Sequence, residues 1–298
     1  MWGEYMINKY NIIDAHMHIG KTYRGMREAK LDEYLDNAEK MGIQEAVVIP
    51  PCIPDFIDLP SGDRCIPFLY KDGHSMCVYD EKYGLRYEAI KSDPFTLVNR
   101  RLFDEVRKKR SPIKLHFAPL MHPLFGEFST FSTDEWKDII AIKIHPSFFK
   151  IGECTIRNGF FEMVERMKKP LIIHTGFKNS LGRDWLNLLA DYDINVLFAH
   201  ACRLDPLCVD IINSDKRYYV GIAPYKQLNS MKQFSKSESF IQGVFNMFDI
   251  EKIVFDTDYA ENVDENGVLY WENNDIDKLN LSNEDKQKLF SLNAKRLY

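Results

Sequence analysis

The 298-residue sequence contains no apolar run near the roughly 20 residues that a membrane-spanning helix needs. It has no excess of positive charge, because 39 Lys and Arg residues stand against 44 Asp and Glu residues and leave a net charge of −5. Its six cysteines show no Cys-x-x-Cys spacing. These absences predict a protein that binds neither membranes nor nucleic acid and that keeps its thiols reduced. The first residues also lack the features of a signal peptide, so we expect a cytoplasmic protein.

Signatures of several enzyme classes are missing too. No Gly-x-Gly-x-x-Gly follows the first apolar run, and there is neither a Gly-x-Ser-x-Gly nucleophile motif nor a P-loop. The basic residues at 107–110 lie in a predicted helix and are typical of a solvated face. The chemistry must therefore be sought elsewhere in the chain.

Eight short apolar runs alternate with segments of helical periodicity. The runs are 11–14, 45–49, 115–119, 139–144, 171–174, 195–200, 218–222 and 252–256, and the predicted helices include 31–41, 94–109, 159–167, 184–192 and 238–248. Near-continuous Val/Ile-rich runs are typical of strands buried on both faces of a parallel sheet. Eight of them alternating with helices predict an α/β protein with a (β/α)8 TIM barrel, as a single domain over 1–298. An open doubly wound sheet is the alternative, weakened by the missing glycine motif.

One connection is much longer than the others. Residues 51–92, after the second run, contain no clear strand and are rich in Pro, Gly, Asp and Tyr. Long connections in compact domains are usually functional loops. We therefore predict an active-site insertion after strand 2, with a passive surface insertion as the alternative.

Histidines and a carboxylate follow several of the predicted strands. His16 and His18 end the first run, His174 and His200 end the fifth and sixth, and Asp258 follows the eighth. Because a parallel barrel brings all its strand carboxyl ends to one rim, these five side chains are expected to converge. Imidazole and carboxylate are ligands that zinc and similar ions prefer, so the pattern predicts a metal site.

The motifs around these residues resemble those of the amidohydrolase superfamily, specifically the amidohydrolase-related family that includes aminocarboxymuconate-semialdehyde decarboxylase and lactonases. The motifs are Asp14-Ala-His-Met-His18, Ile142-Lys-Ile-His-Pro146, Ile172-Ile-His-Thr-Gly176, Phe198-Ala-His-Ala201 and Phe255-Asp-Thr-Asp-Tyr259. The resemblance spans nearly the whole chain. It departs from the family in the extra carboxylate of Asp256 and in the residues that follow His200, where glycine is common.

The resemblance implies roles for individual residues. His16, His18, His174 and Asp258 are implied as ligands of one divalent metal ion, with zinc preferred, and His200 as the catalytic histidine beside it. In related enzymes a lysine at the fourth strand is carboxylated and bridges two metals. Lys143 therefore leaves a second metal ion possible here. We favour instead an ion pair between Lys143 and a carboxylate of the site.

The expected activity is metal-dependent hydrolysis of a small-molecule amide, lactone or ester bond. Water activated by the metal would attack, Asp258 would accept its proton, and His200 would polarise the substrate carbonyl or orient the water. Of the arginines in predicted connections, Arg203 and Arg24 are preferred for binding a substrate carboxylate.

Two other functions stay open. The same ligands can serve non-oxidative decarboxylation of an unsaturated or aromatic acid, and a non-catalytic barrel could serve as a binding protein. The expected partner is a small-molecule substrate, and the sequence leaves a homo-oligomer open.

Overall fold

The computed structural model of the protein describes twelve stretches of the chain. They are residues 10–21, 28–51, 57–58, 64–71, 74–79, 87–89, 95–123, 128–146, 159–176, 180–223, 240–259 and 281–298.

Eight strands within these stretches form two parallel sheets. In chain order the strands are β1 (Ile12–His18), β2 (Gly20–Lys21), β3 (Glu28–Ala29), β4 (Ile43–Ile49), β5 (Ile57–Asp58), β6 (Arg64–Lys71), β7 (His74–Tyr79), β8 (Tyr87–Ala89), β9 (Lys114–Phe117), β10 (Ile142–Ile144), β11 (Leu171–His174), β12 (Val196–Ala199), β13 (Tyr218–Gly221) and β14 (Ile253–Val254). One parallel sheet has the order β1-β4-β9, and the other runs from β10 to β14 in sequence order. The prediction of an α/β fold with a parallel sheet is therefore confirmed.

Helices connect most of these strands. They are α1 (Leu31–Met41), α2 (Thr96–Lys108), α3 (Glu135–Asp138), α4 (Phe160–Arg166), α5 (Gly182–Leu189), α6 (Pro206–Ser214), α7 (Phe240–Met247), α8 (Asn283–Gln287) and α9 (Asn293–Leu297), with 3₁₀ segments at Phe128–Thr130, His200–Leu204 and Ile250–Lys252 and a π-helical segment at Lys288–Leu292. The five predicted helices correspond to α1, α2, α4, α5 and α7.

The first helix shows why its sequence folds as it does. Leu31, Tyr34 and Ala38 recur at helical spacing and are buried, so one stripe of α1 packs on the sheet. Gly42 ends the helix in the left-handed conformation (φ 74°), and its N–H donates to the carbonyls of the last turn. The bounds of α1 and its glycine stop are those that the sequence predicts.

Backbone hydrogen bonds join the two parallel sheets at both of their edges. Between β9 and β10, Lys143 N donates to Pro119 O at 2.8 Å, and Met121 N donates to Lys143 O at 2.9 Å. Between β14 and β1, Ala15 N donates to Phe255 O at 3.0 Å. We call these two junctions the β9–β10 seam and the β1–β14 seam.

The parallel strands also contribute to a common interior. A small apolar cluster, which we call the inner cluster, is formed by residues from or beside the strands: Ile13, Ala15, Val47, Ile49, Ala118, Ala141, Ile172, Leu197, Tyr219 and Val254. Ala294 and Leu297 of α9 join it. A much larger cluster, which we call the outer cluster, lies between the sheets and the surrounding helices. The strands are thus buried on both faces, which explains their near-continuous apolar sequences.

The first strand is irregular in its pairing with β4. Asp14 pairs with Ala46 and Met17 pairs with Val48, so β1 takes one residue more than its neighbour over this stretch. Such a bulge interrupts the alternation of side chains and re-aims those that follow it.

This bulge decides where the two histidines of β1 point. Ile13 and Ala15 belong to the inner cluster, and strict alternation from them would turn His16 and His18 outwards. After the bulge, Met17 packs instead in the outer cluster, so His16 and His18 face the interior at the carboxyl end of β1.

The expectation of no clear strand in residues 51–92 is wrong. Strands β5 to β8 lie in this region and form an antiparallel sheet in sequence order. The richness in Pro and Gly concealed a set of hairpins.

Within the described part of the chain, no helix is long and apolar enough to cross a membrane.

Candidate metal centre

Two buried imidazoles meet at the end of β1. His16 and His18 lie with their Nε2 atoms 3.0 Å apart, and the two rings are almost perpendicular, at 83°. Burial lowers the pKa of His18 to about 3 and that of His16 well below its ordinary value, with the charge of Lys143 acting in the same direction. Both rings are therefore neutral at pH 7, which is the form that binds metals.

The outer nitrogen of each ring is held by an acceptor. His18 Nδ1 donates to Pro50 O at 2.7 Å, and since a carbonyl only accepts, the proton of this neutral ring resides on Nδ1. His16 Nδ1 lies 3.2 Å from Oδ2 of Asp256. Because the proton of His18 is on Nδ1, its Nε2 has a free lone pair that is directed at His16 Nε2 and is available to a ligand.

Asp258 completes a group of three ligand-type side chains. Its Oδ1 lies 3.8 Å from His18 Nε2, and one ligand atom from each of His16, His18 and Asp258 lies within 4.8 Å of the others. All three residues are buried. Asp258 N donates to His16 O across the β1–β14 seam, so the backbone itself fixes the carboxylate beside the histidines.

Asp14 supports this group by accepting hydrogen bonds from residues on both sides of it. Its carboxylate accepts hydrogen bonds from Thr257 N (3.0 Å), Thr257 Oγ1 (2.6 Å), Tyr34 OH (2.8 Å) and His16 N (3.3 Å). Burial raises the pKa of Asp14 to about 6 even though these bonds favour the ionised form. The network positions the residue before Asp258 and the backbone of His16 together.

Asp256 is the second supporting carboxylate. Its Oδ1 accepts from Ala223 N at 2.8 Å while Oδ2 faces His16. Burial raises its pKa well above the ordinary value, a penalty that a cation bound beside His16 would offset. The carboxylate fits because Gly221 has no side chain: a Cβ there would stand 2.4 Å from Asp256 Oδ2.

Three further histidines form an adjoining row. His200 Nδ1 donates to Ala223 O at 2.5 Å, and its Nε2 lies 2.9 Å from Nδ1 of His174. The ring of His174 stacks on His145 with centroids 4.0 Å apart. Burial lowers the pKa of all three. The ring of His200 stands between the two groups, 6.0 Å from His16 and 4.6 Å from His174.

The turn after β12 has an unusual backbone. His200, Ala201, Cys202, Arg203 and Leu204 all have positive φ between 45° and 64°. Non-glycine residues rarely take this conformation, and each costs about 1 kcal/mol or more. The turn directs Arg203 toward Asp258, whose charge acts on the guanidinium, while burial lowers the pKa of Arg203 to about 10.

Lys143 of β10 is fully buried at the centre of the site. Its Nζ lies 2.9 Å from His16 Nε2, so the ammonium donates to the imidazole nitrogen that is also a candidate metal ligand.

The structure thus brings together most of the residues singled out in the sequence, but not all of them in one place. His16, His18 and Asp258 form the candidate ligand group, with Lys143 in contact and His200 one ring away. His174 is not part of that group among the described residues. Its Nε2 would lie 3.2 Å from a Cβ at Gly176, so it faces away toward its own loop.

Other predictions have different outcomes. Arg24 lies outside the described residues. Sequence reasoning assigned no role to Asp14 and noted Asp256 only as an extra charge. A signal for both was present, because each precedes a predicted ligand by two residues, in Asp14-x-His16 and Asp256-x-Asp258.

Comparison with known proteins shows similarity in fold only. No protein-family model matches the sequence, and no curated protein matches it. A protein from Acinetobacter baumannii, named a probable 2-pyrone-4,6-dicarboxylic acid hydrolase and crystallised with citric acid, superposes with a TM-score of 0.57 at 11% identity over 96% of this chain and 98% of that one.

Two more solved structures give the same result. A Pseudomonas putida protein provisionally given the same hydrolase name has a TM-score of 0.59 at 13% identity, over 96% of each chain. A protein named amidohydrolase 2 from Bifidobacterium longum subsp. infantis has a TM-score of 0.54 at 14% identity, over 97% of this chain and 98% of that one. The chain therefore has the fold of proteins that carry hydrolase and amidohydrolase names.

Proposed function

We propose that this protein is a metal-dependent hydrolase of the amidohydrolase superfamily. The observation that carries the proposal is the convergence of the His16 and His18 Nε2 atoms, 3.0 Å apart, beside the buried carboxylate of Asp258. Two neutral imidazoles and a carboxylate, each oriented by a hydrogen bond or the backbone behind it, are the donor set of a catalytic zinc site.

A closed (β/α)8 barrel is part of the proposal. It is supported by the backbone hydrogen bonds at the β9–β10 and β1–β14 seams and by the inner cluster to which most parallel strands contribute. In such a barrel the carboxyl ends of the strands form the active-site face, where His16, His18 and Asp258 lie.

The residues present fit a divalent ion, with zinc preferred. When bound, such an ion lowers the pKa of a coordinated water from about 15.7 to about 7 and polarises carbonyl groups. His174, the fourth ligand that the sequence resemblance implies, would complete the set. An ion at His16 Nε2 would replace the contact of that nitrogen with the Lys143 ammonium, and a second ion would require Lys143 to be carboxylated.

The chain's own residues then have distinct tasks. Asp258 accepts the proton of the attacking water, because its carboxylate stays at the site while both neighbouring imidazoles use Nε2 as ligands. His200 keeps its proton on Nδ1 through Ala223 O, so its Nε2 can orient water or receive a proton. Arg203 binds a carboxylate of the substrate from its buried turn.

The substrate that best fits this arrangement is a small amide, lactone or ester that carries a carboxylate. The guanidinium of Arg203 is buried in the turn after β12, and its planar fork can bind a substrate carboxylate with two hydrogen bonds. A cytoplasmic location and a homo-oligomeric state remain predictions.

The experiment that tests the function starts from metal content. We expect the purified protein to contain about one equivalent of a divalent metal, and His16→Asn and His18→Asn to lose it. His116→Asn is the matched control, since that histidine pairs with Glu45 at the other end of the strands. Absence of metal from the wild type, together with no Zn²⁺ binding in titration, would overturn the proposal.

Assays of the metal-loaded protein then separate the activities. Lactones, amides and esters with a carboxylate are compared with aromatic and unsaturated acids, for which CO₂ release is measured. Hydrolysis that His200→Asn and Asp258→Asn reduce by about 10²-fold or more supports the proposal. CO₂ release alone points to the decarboxylase, and a stoichiometric ligand complex with no turnover points to a binding protein.

A further inference from the structure

A basic cleft lies at the opposite end of the strands from the candidate metal centre. It has a volume of about 680 Å³, within the range of small-molecule sites, and it opens beside the amino ends of β9, β10 and β11. Six cationic side chains line it: Arg107, Lys109, Lys114, Lys137, Lys168 and Lys169. Among the described residues that line it, Asp138 is the one that is acidic.

These cations come from four separate parts of the fold, so no single charged helix explains them. Arg107 and Lys109 end α2, Lys114 begins β9, Lys137 lies on α3, and the remaining two follow α4. In a chain whose net charge is −5, this concentration of positive charge is local to the cleft.

Carboxylates at the rim do not close the cleft to an anion. Lys114 pairs with Glu45 at 3.3 Å and Lys137 pairs with Asp134 at 2.7 Å, and both lysine side chains are largely exposed, at 68% and 73%. Arg107 lies 3.5 Å from Asp138 and 3.8 Å from Glu135, Lys109 pairs with the exposed Asp32, and Lys169 donates to Ile139 O at 2.6 Å. Exposed ion pairs of this kind contribute about 0–1 kcal/mol each. A ligand with several negative charges can therefore replace them at little cost.

Lys168 provides an independent sign that the cleft is built for a charge. It follows α4 with φ 53°, and the bonds Lys168 N to Glu165 O and Lys169 N to Val164 O form the motif that normally has glycine at this position. Lysine here costs about 1 kcal/mol relative to glycine. A strained residue that keeps a cation at a cleft indicates a use for that cation.

The base of the cleft is apolar. Phe103, Phe117 and Ile139 lie there, and Arg107 covers the ring of Phe103 at 5.4 Å. The ligand that suits these walls has multiple charges at one end and an apolar or flat part at the other.

We propose that this cleft binds a small organic phosphate with two or more phosphate groups, such as a nucleoside diphosphate or triphosphate. The site is separate from the candidate metal centre and independent of the function proposed for it. Phosphate supplies the charge that the lysines recognise, and the organic part contacts the apolar base.

Calorimetric titration of the full-length protein tests this proposal. ATP and inorganic tripolyphosphate are compared at 50 and 200 mM salt, with Lys168→Gly, Lys137→Gln and their combination. Glycine suits the backbone at 168, so this variant removes the charge and should raise the melting temperature while it weakens binding. Lys216→Gln, an exposed lysine in the loop before β13, is the control.

We expect ATP to bind in the sub-millimolar range and more tightly than tripolyphosphate. Each single variant should weaken ATP binding about threefold and the double variant about tenfold, while the control leaves it unchanged. Equal affinity for ATP in the double variant and the wild type would overturn the proposal, as would no detectable binding. Binding of single-stranded RNA much more tightly than ATP would also reject a small-molecule site.

Discussion

Gly221 lies behind the candidate metal centre, next to the carboxylate of Asp256. Its missing side chain lets Asp256 approach β13 and meet His16, so the orientation of one imidazole depends on the absence of a methyl group elsewhere. Carboxylates that orient metal-binding histidines affect metal affinity by about 10–100-fold.

We predict that Gly221→Ala displaces the Asp256 carboxylate. The methyl group would stand 2.4 Å from its oxygen in a packed interior, so the variant should lose about 1–3 kcal/mol of unfolding free energy and bind Zn²⁺ about tenfold or more weakly. Chemical denaturation and zinc titration measure the two effects.

Gly243→Ala is the control for the same substitution. Its Cβ would meet the tip of Leu204, a flexible side chain, and alanine favours the helix α7. This variant should keep wild-type zinc affinity. Equal zinc affinity in Gly221→Ala and the wild type would show that Asp256 does not orient His16.

At this scale the sequence predicted residue types better than their neighbours in space. His16, His18 and Asp258 were found because strand ends in a parallel fold converge. The different orientation of His174 could not be predicted, since it depends on ring contacts with His145 and His200 that join three separate strands.

Among the described elements, α6 and β13 meet at a junction that is rich in polar contacts. Arg217 donates to Asp215 through Nη2 at 2.6 Å and Nε at 3.0 Å, and Nη1 bonds Tyr192 O. Lys252 donates to Asp215 O at 2.6 Å. These bonds connect the start of β13 to the loop before β12 and to the segment before β14.

The stability of this junction should depend on pH. Hydrogen bonds from Arg217 lower the pKa of Asp215, so this carboxylate stabilises the fold above its unfolded pKa near 3.9. That stabilisation is lost as the pH falls through the lower pKa of the folded state. We predict that Arg217→Gln lowers the unfolding free energy by about 1–3 kcal/mol at pH 7 and by less at pH 3.

Urea denaturation at the two pH values measures this difference. Arg107→Gln is the comparison, because its pairs with Glu135 and Asp138 are long, at 3.8 and 3.5 Å, and its own side chain is about half exposed, so they should contribute under about 1 kcal/mol. A deficit for Arg217→Gln that is the same at both pH values would assign its effect to packing on Tyr218 rather than to Asp215.

Elements with regular periodicity followed from the sequence, and irregular ones did not. The apolar stripe and glycine stop of α1 are local features, so they could be read directly. The bulge in β1 and the left-handed turn at His200–Leu204 are imposed by tertiary packing, and non-glycine residues give no warning of positive φ. The antiparallel strands β5 to β8 were missed because turn-forming residues dominated the composition there.

For the whole molecule, the position of the candidate ligands across the β1–β14 seam matters most. His16 and His18 stand on one side and Asp258 on the other. Backbone bonds from Ala15 N and Asp258 N cross the seam. A metal ion bound by residues on both sides of the seam would therefore stabilise the same contact that connects the two sheets.

We predict that Zn²⁺ slows hydrogen exchange of the Ala15 and Asp258 amides. At a hundredfold excess over the dissociation constant, ligand binding adds about 2.7 kcal/mol to the opening free energy. The amide of Ile140, which donates to Phe117 O at the β9–β10 seam, is the internal control. Protection gained equally at both seams would indicate global stabilisation, and no gain at Ala15 and Asp258 would contradict a site across the β1–β14 seam.

The same arrangement sets an order for biosynthesis. His16 and Asp256 are 240 positions apart in the chain, and Asp258 is synthesised later still. During translation the histidines of β1 emerge long before their carboxylate partners, so the donor set is incomplete until β14 has left the ribosome and docked beside β1. Metal acquisition would then mark the completion of folding, and a chain released before β14 could not retain the ion.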